Sequence, residues 1–370
     1  MLLRRLQHPH LTPEDTWKEL FDSAETSSDP AESPVAEELK KTDALFKPSQ
    51  SPGHQEILRL LKENGPDSIT VVAIGPLTNL ALAAAEDPET FLRLKEVVVM
   101  GGNIDEAGNV CPSPISASQT YLGREPPFRL IKQASSLLRH ELNVRNQITP
   151  TAEFNTFADS VAAARVYALT SPRPQSTMPP VPPAPRGKPE GSHPPPYLAP
   201  YPSDKLTSRL KVTLFPLDIT QKHDLTRGDF NAAVDPLLSD GSPLAEWTAA
   251  FMDATFEKVA SMHPELKGDE ISLALHDPLC VWYCMTDKAP RWKIIKDEDI
   301  RVETSGQWTR GMSVVDRRNR QRRSDDDEHE IPGDKDNWLS GGSGNRLQRC
   351  IASGGEDIFG AHMLQRIFEI

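Results

Sequence analysis

The chain is short of the features that would place it in a membrane, on a secretory route or on a nucleic acid. Only 37% of its 370 residues are hydrophobic, too few for every part of it to lie in a packed core. The longest apolar stretch, Ile69 to Ala85, is interrupted by Gly75, Pro76 and Asn79, so no membrane span is expected. The opening residues, MLLRRLQHPHLTPED, hold no apolar run of the length a secretory signal needs. Cysteines number four, Cys111, Cys280, Cys284 and Cys350. Cys280 and Cys284 lie four apart in an apolar helical run, with no second Cys or His pair at metal spacing, and read as buried thiols. The count suits a reducing compartment, and a cytoplasmic location is expected. Neither G-x-G-x-x-G after a strand nor G-x-x-x-x-G-K-[ST] occurs, which leaves a dinucleotide- or GTP-binding protein without its main support. Positive charge is also short: 41 Lys and Arg face 53 Asp and Glu, for a net charge of -12. That excludes general nucleic-acid binding and points to small molecules or metal cations as partners.

Proline is the residue in excess, at 34, and much of it falls in one place. Residues 171–203 form a Pro-rich loop expected to be extended and mobile. Residues 1–54 read as polar and irregular apart from a helical piece around Trp17 to Phe21, and 317–346 as a charged, Gly-rich, solvated excursion. Between these lie regular elements. Gln55 to Glu63 reads as a helix; Ile69 to Ile74 is a continuous β-branched run, typical of a strand buried on both faces. GPLTN turns the chain, Leu80 to Glu86 is Ala/Leu-rich helix, and EVVVMGG is the next buried strand. Strand, helix, strand in so few residues is a βαβ unit, hence an α/β domain with a mostly parallel open sheet flanked by helices. AEFNTFADSVAAARVYAL reads as one amphipathic helix, KVTLFPLDIT as a strand, Leu244 to Met262 and His276 to Met285 as helices, WKIIKDEDIRVET as strand-like and the last residues as a short apolar-faced helix.

Ligands of such sheets sit outside the C-terminal ends of the strands. AIGPLTN, MGGNIDEAGN, AEFN and LALHDP all fall at such ends or open the helices that follow. Glu153 and Asn155 stand at a helix start, as do His276 and Asp277. Each has a plain structural alternative: Asn79 and Asp277 as helix N-caps, Glu153 or Asn155 as capping or dipole compensation, His276 with Asp277 as a hydrogen-bonded pair. An acidic cluster with amide and carbonyl oxygens is, by its chemistry, a site for Ca²⁺ or Mg²⁺.

Together, VVAIGPLTNLALA, VVVMGGN, TPTAEFN, ADSVAAARV, LFPLDIT, LALHDPL and VETSGQWTRGMSVVDRR occur in the order found in the inosine-uridine-preferring nucleoside hydrolases, which the sequence resembles over roughly 55–110, 148–170 and 210–316. HPHLTPEDTW and the Pro-rich loop are similar to the fungal branch. The resemblance makes 55–316 a nucleoside hydrolase domain, with 347–370 its C-terminal helix. It implies hydrolysis of the N-glycosidic bond of ribonucleosides to ribose and free base. It also implies a Ca²⁺ ion that templates the sugar and supplies an activated water, and a homo-oligomer. By the same resemblance, the Ile74 carbonyl and Asp277 would be metal ligands, Asn109, Glu153 and Asn155 would hold ribose hydroxyls, Met100 would pack under the sugar, and His276 would help the base leave by giving a proton or a hydrogen bond.

The sequence departs from that family in two places. The family's D-x-D-x-x-x-D-D motif after an early strand, which supplies most metal ligands and the general base, is not found, and neither is an Asn near the end of the second family strand. The expectation is therefore a sheet without its first strand region, weak Ca²⁺ binding and impaired turnover. A non-catalytic relative acting as a binding or regulatory subunit is the alternative. The second departure is Val110 to Gln147, which separates Asn109 from ITPTAEFN. A functional insertion with a helix at the site mouth is one reading. A retained intron is the preferred one: Val-Cys includes GTATGT among its codings, Gln can end in CAG, and removal restores GNITPTAEFN.

Overall fold

Val97, Val98, Val99 and Met100 are all buried, yet successive side chains enter different cores. Val97 and Val99 join one apolar cluster, Val98 and Met100 another. Alternate side chains of a strand point to opposite faces, so this strand has a hydrophobic layer on each side, as its unbroken apolar run requires. In the computed structural model the described residues are 51–109, 150–181, 196–202, 206–286, 291–318, 320–324 and 331–369. Expectations for residues 1–50, 110–147 and the middle of the Pro-rich loop lie outside them. The chain divides into a unit of Met1–Gly53 with Pro112–Leu122, almost wholly outside the described residues, and a unit of His54–Cys111 with Gly123–Ile370, to which all that follows refers.

In chain order the elements are α1 Gly53–Glu63, β1 Thr70–Ala73, α2 Thr78–Glu86, α3 Pro88–Phe91, β2 Glu96–Met100, α4 Phe154–Ala158, α5 Ser160–Ala168, β3 Val212–Phe215, α6 Leu217–Thr220, β4 Asp224–Thr226, α7 Arg227–Ser239, α8 Pro243–Met262, β5 Ser272–Ala274, α9 His276–Thr286, β6 Lys293–Glu298, β7 Arg301–Val302, β8 Ser313–Val314, β9 Leu347–Ala352 and α10 Phe359–Phe368. The main sheet runs β1-β2-β3-β9-β6. The β1-β2, β2-β3 and β3-β9 pairs are parallel and β6 is antiparallel to β9. Register is fixed by Val71↔Val97, Val97↔Val212 and Thr213↔Gln348. This is the open, mostly parallel α/β sheet expected. Among the described residues β1 is one edge of it. β4-β5 and β7-β8 form two small antiparallel ribbons.

Several expectations need correction. The AEFN…YAL segment is two helices, broken at Asp159, whose φ of -144° leaves the helical region while its carboxylate accepts from Ala162 N. α5 is buried on nearly every side rather than amphipathic, because Arg165 is also consumed: its guanidinium donates to the Leu198 and Ala199 carbonyls and stacks on Tyr201. The flanks of the Pro-rich loop are thus held, with Tyr201 only 3% exposed. The 317–346 excursion is not solvated throughout. Residues 339–346 are buried, because Arg346 donates to the Gly341, Ser343, Gly344 and Asn345 carbonyls and Asn345 is tied to Asp299 and Ile300. Asn79 does not cap α2: it lies inside the first turn and is exposed, while Thr78 Oγ1 bonds Asp159 Oδ2 at 2.6 Å. Cys280 and Cys350 are buried thiols, and Cys284 is half-buried. No helix among the described residues is long and apolar enough to cross a membrane.

Candidate functional site

The C-terminal ends of β1, β2 and β3 and the first turn of α9 bring most of the predicted residues to one end of the sheet, with α9 packed against β1 and β2. Met100 ends β2 and is 3% exposed. The Asn155 side-chain amide donates to its carbonyl at 3.1 Å and lies 3.3 Å from its sulfur. Asn155 sits in the first turn of α4 directly behind Glu153, the N-cap.

Glu153 does what a capping residue does, and more. Its carboxylate accepts from the backbone N–H of Asn155 (2.6 Å), Thr156 (2.9 Å) and Gly102 (2.8 Å) and from Thr156 Oγ1 (3.1 Å). It is 1% exposed. Burial pushes its carboxyl above the ordinary range, against the pull of these donors. One carboxylate thereby clamps the α4 start to the loop after β2. There is little room beside it: a Cβ on Gly101 would lie 3.3 Å from Glu153 Oε2.

The Gly101–Asn109 loop is held along its length. Gly101 N donates to Phe215 O, and Leu217 N to Gly102 O. Asp218 of α6 accepts from Ile104 N (2.8 Å) and Asp105 N (2.7 Å). Arg317 donates to Ile104 O (2.6 Å) and pairs with Asp105 (2.8 Å). Gly108 N bonds Pro150 O and Asn109 N bonds Ala152 O, while Asn109 Oδ1 accepts from Phe154 N at 2.8 Å. Gly108 is required here, since a Cβ would stand 2.3 Å from the Ala152 carbonyl oxygen. Asn109 and Glu153 are therefore neighbours in space, although 110–152 lie between them in sequence.

On the other side, α9 begins at His276 as the sequence indicated. His276 Nδ1 lies 2.8 Å from Thr220 Oγ1, the last residue of α6. Burial pushes its imidazolium down to about 4, so the ring is neutral near pH 7 and suits a hydrogen-bond donor better than a proton donor. Asp277 is half-buried, and among the described residues its carboxylate makes no hydrogen bond or ion pair. Burial raises its pKa. An unpaired, desolvated carboxylate is the arrangement a cation or polar ligand would relieve. Ile74 directly follows β1 and is 48% exposed. The α6 contributions of Asp218 and Thr220 went unread in the sequence, although LDIT directly follows a buried strand and so sits at the same sheet end.

Two features stand apart. Among the described residues no group of three or more His, Cys, Asp or Glu could hold a metal ion. A cleft of about 460 Å³ lined by Arg209, Glu298, Asp299, Arg320 and Trp338 contains none of the predicted site residues. Of the tryptophans that could stack on a base, Trp282 is core, stacked on Phe359 at 4.5 Å, whereas Trp247 and Trp308 are 56% and 76% exposed.

Residues 18–182 and 202–336 match the family described as inosine-uridine preferring nucleoside hydrolase. The chain is similar to an uncharacterized protein of Schizosaccharomyces pombe, 26% identical over 262 residues covering 70% of this chain and 55% of that protein. It is also similar to the pyrimidine-specific ribonucleoside hydrolase RihA of Salmonella newport, 23% identical over 278 residues, 74% of this chain and 59% of that one. The chain thus spans a little over half the length of these relatives. Among solved structures it resembles a plant nucleoside hydrolase (TM-score 0.51, 16% identity, 87% of this chain and 68% of that one) and a purine-preferring ribonucleoside hydrolase from Gardnerella vaginalis (TM-score 0.50, 18% identity, 87% and 67%). With most of its length matched and the fold shared, the chain belongs to the inosine-uridine preferring nucleoside hydrolase family.

Proposed function

We propose that this chain carries a ribonucleoside site of the N-ribohydrolase type, with its sugar-facing and base-facing groups present and its metal-binding side incomplete in the described residues. The observation that carries the reading is Asp277: a half-buried carboxylate without a partner among the described residues, at the head of α9 beside His276. Across the strand ends, Asn155 is seated on Met100 and Asn109 is bonded to Phe154 N. These groups donate to and accept from a ribose diol while the Met100 edge offers an apolar floor. His276, neutral near pH 7, offers a hydrogen bond to a departing base. Glu153 supports this side as a clamp, since both of its oxygens are engaged by the backbone.

The residues present do not by themselves fit a Ca²⁺ ion. Such an ion takes about 6–8 oxygen ligands, whereas the predicted donors here are one carboxylate and the Ile74 carbonyl, and no acidic cluster accompanies them among the described residues. This shortfall favours a second reading, a subunit that binds ribonucleosides without turning them over. Inosine and uridine, each with Ca²⁺, separate the readings: saturable binding with little base release supports the proposal, robust turnover removes the expected impairment, and no binding of either nucleoside removes the site itself.

A further inference from the structure

The four-residue turn α6 reaches both sides of the site. Asp218 receives two backbone N–H groups of the Gly101–Asn109 loop, and two residues on Thr220 Oγ1 meets His276 Nδ1 at 2.8 Å. Thr220 is 0% exposed. A helical threonine commonly returns its hydroxyl proton to the carbonyl four residues back. Thr248 and Thr255 of α8 do so, whereas among the described residues the Thr220 hydroxyl makes no such bond and His276 Nδ1 is its hydrogen-bond partner. If Nδ1 carried the ring proton and donated, the hydroxyl proton would be buried with no acceptor, which costs more than one hydrogen bond returns. The opposite arrangement satisfies both groups: O–H donates to Nδ1, and the ring proton resides on Nε2. Among the described residues Nε2 has no hydrogen bond within the protein, so its N–H is free to be donated.

We propose that Thr220 is a positioning residue that fixes His276 in the Nε2–H tautomer, presenting that N–H to an acceptor atom of the leaving base. The inference rests on the ribonucleoside reading for the identity of that acceptor but not for the tautomer itself. A carbonyl-type or ring-nitrogen acceptor on the base fits such a donor, and a group that can only donate does not. It also explains why a hydroxyl, which can give a proton, stands behind the ring in place of a carboxylate, which can only accept from it.

The test uses the full chain labelled with ¹⁵N-histidine at pH 8, where an imidazole is neutral, with His276 assigned by the resonances lost in His276→Gln. In the wild type and in Thr220→Ser, His276 is expected to show a pyrrole-type Nε2 and a pyridine-type Nδ1, with the Nε2–H form in excess on the order of tenfold. Thr220→Val, which keeps the volume and removes the hydroxyl, is expected to bring the ring to a mixture of the two tautomers. A pyrrole-type Nδ1 in the wild type overturns the proposal, and so does a folded Thr220→Val with an unchanged tautomer. The wild-type spectrum is decisive even where Thr220→Val does not fold. Turnover plays no part in the readout, so failure of inosine and uridine to bind would remove the ribonucleoside reading while leaving the tautomer in place.

Discussion

Excision of residues 110–147 is predicted to stabilise the protein. The two flanks of this segment are bonded to each other: Gly108 N to Pro150 O, Asn109 N to Ala152 O, and Phe154 N to Asn109 Oδ1 at 2.8 Å. In the chain as it stands, the Gly108–Pro150 contact closes a loop of about 40 residues; joining Asn109 to Ile148 shortens it to about three, namely Asn109, Ile148 and Thr149. If the segment contributes only loop length, the closure cost scales as (3/2)RT times the logarithm of that length, and the shorter loop gains about 2 kcal/mol. The deletion variant and the wild type are compared by urea unfolding followed by tryptophan fluorescence. The expected outcome is a higher midpoint at similar slope, because the surface exposed on unfolding changes mainly by a loop. A lower midpoint, or loss of a cooperative transition, would show that 110–147 packs on the domain and would refute both the estimate and the reading of the segment as extraneous.

Other perturbations probe the same frame. Gly108→Ala forces a Cβ to within 2.3 Å of the Ala152 carbonyl oxygen; it is expected to cost about 1–3 kcal/mol in urea unfolding, and an unchanged midpoint would mean the two segments separate freely. Asp299, 7% exposed, accepts from Arg301, Arg322 and Asn345 N; Asp299→Ala removes the acceptor shared by two partly buried guanidiniums and a buried N–H and is expected to lose about 1–3 kcal/mol, with an unchanged midpoint counting against the network. His223 is held by Ile219 O at 3.0 Å and Ser353 Oγ at 2.7 Å, and burial depresses its pKa below the ordinary 6.5. The unfolded chain therefore binds the proton more readily, so His223's contribution is full above pH 6.5 and is lost as pH falls from there toward the depressed folded value. Unfolding midpoints at pH 7.5 and 5 should fall further for the wild type than for His223→Phe, and equal falls would contradict the assignment.

The fold was legible wherever one periodicity ruled. Val97–Met100 is uninterrupted because apolar layers cover both faces of β2, whereas the run 69–74, expected to be buried on both faces, forms the edge strand β1, which is only half-buried, with Ile74 48% exposed. The last central strand, Leu347–Ala352, was not read as one. Its sequence LQRCIA carries Arg349, and that charge is tolerated in a central strand only because Glu298 on β6 meets it at 2.6 Å and 2.8 Å. Such a partner 51 residues away in sequence leaves no local signal. Burial of Ser340 to Arg346 was hidden for the same reason, since glycines and an arginine resemble a solvated loop until the backbone carbonyls that receive the guanidinium are known. At the site, LDIT carried information at the strand end that no helical or strand period reveals: Asp218 and Thr220 act on atoms more than 50 residues distant. That His276 and Asp277 open a helix was readable from the apolar run that follows them, whereas the clamp made by Glu153 depends on Gly102 N, visible only once the loop is folded back.

The proposed ribonucleoside site lies where the ends of β1, β2 and β3 meet the head of α9. Calorimetric titration of the full chain with inosine and with uridine, each with Ca²⁺ present, tests it most directly when repeated on Asn155→Ala and Asp277→Asn, each first shown to unfold at its normal urea midpoint. The account predicts saturable binding of at least one nucleoside by the wild type and a loss of about tenfold or more, equivalent to roughly 1.4 kcal/mol, in each variant. Absence of saturable binding by the wild type, or equal affinity in all three proteins, would contradict it.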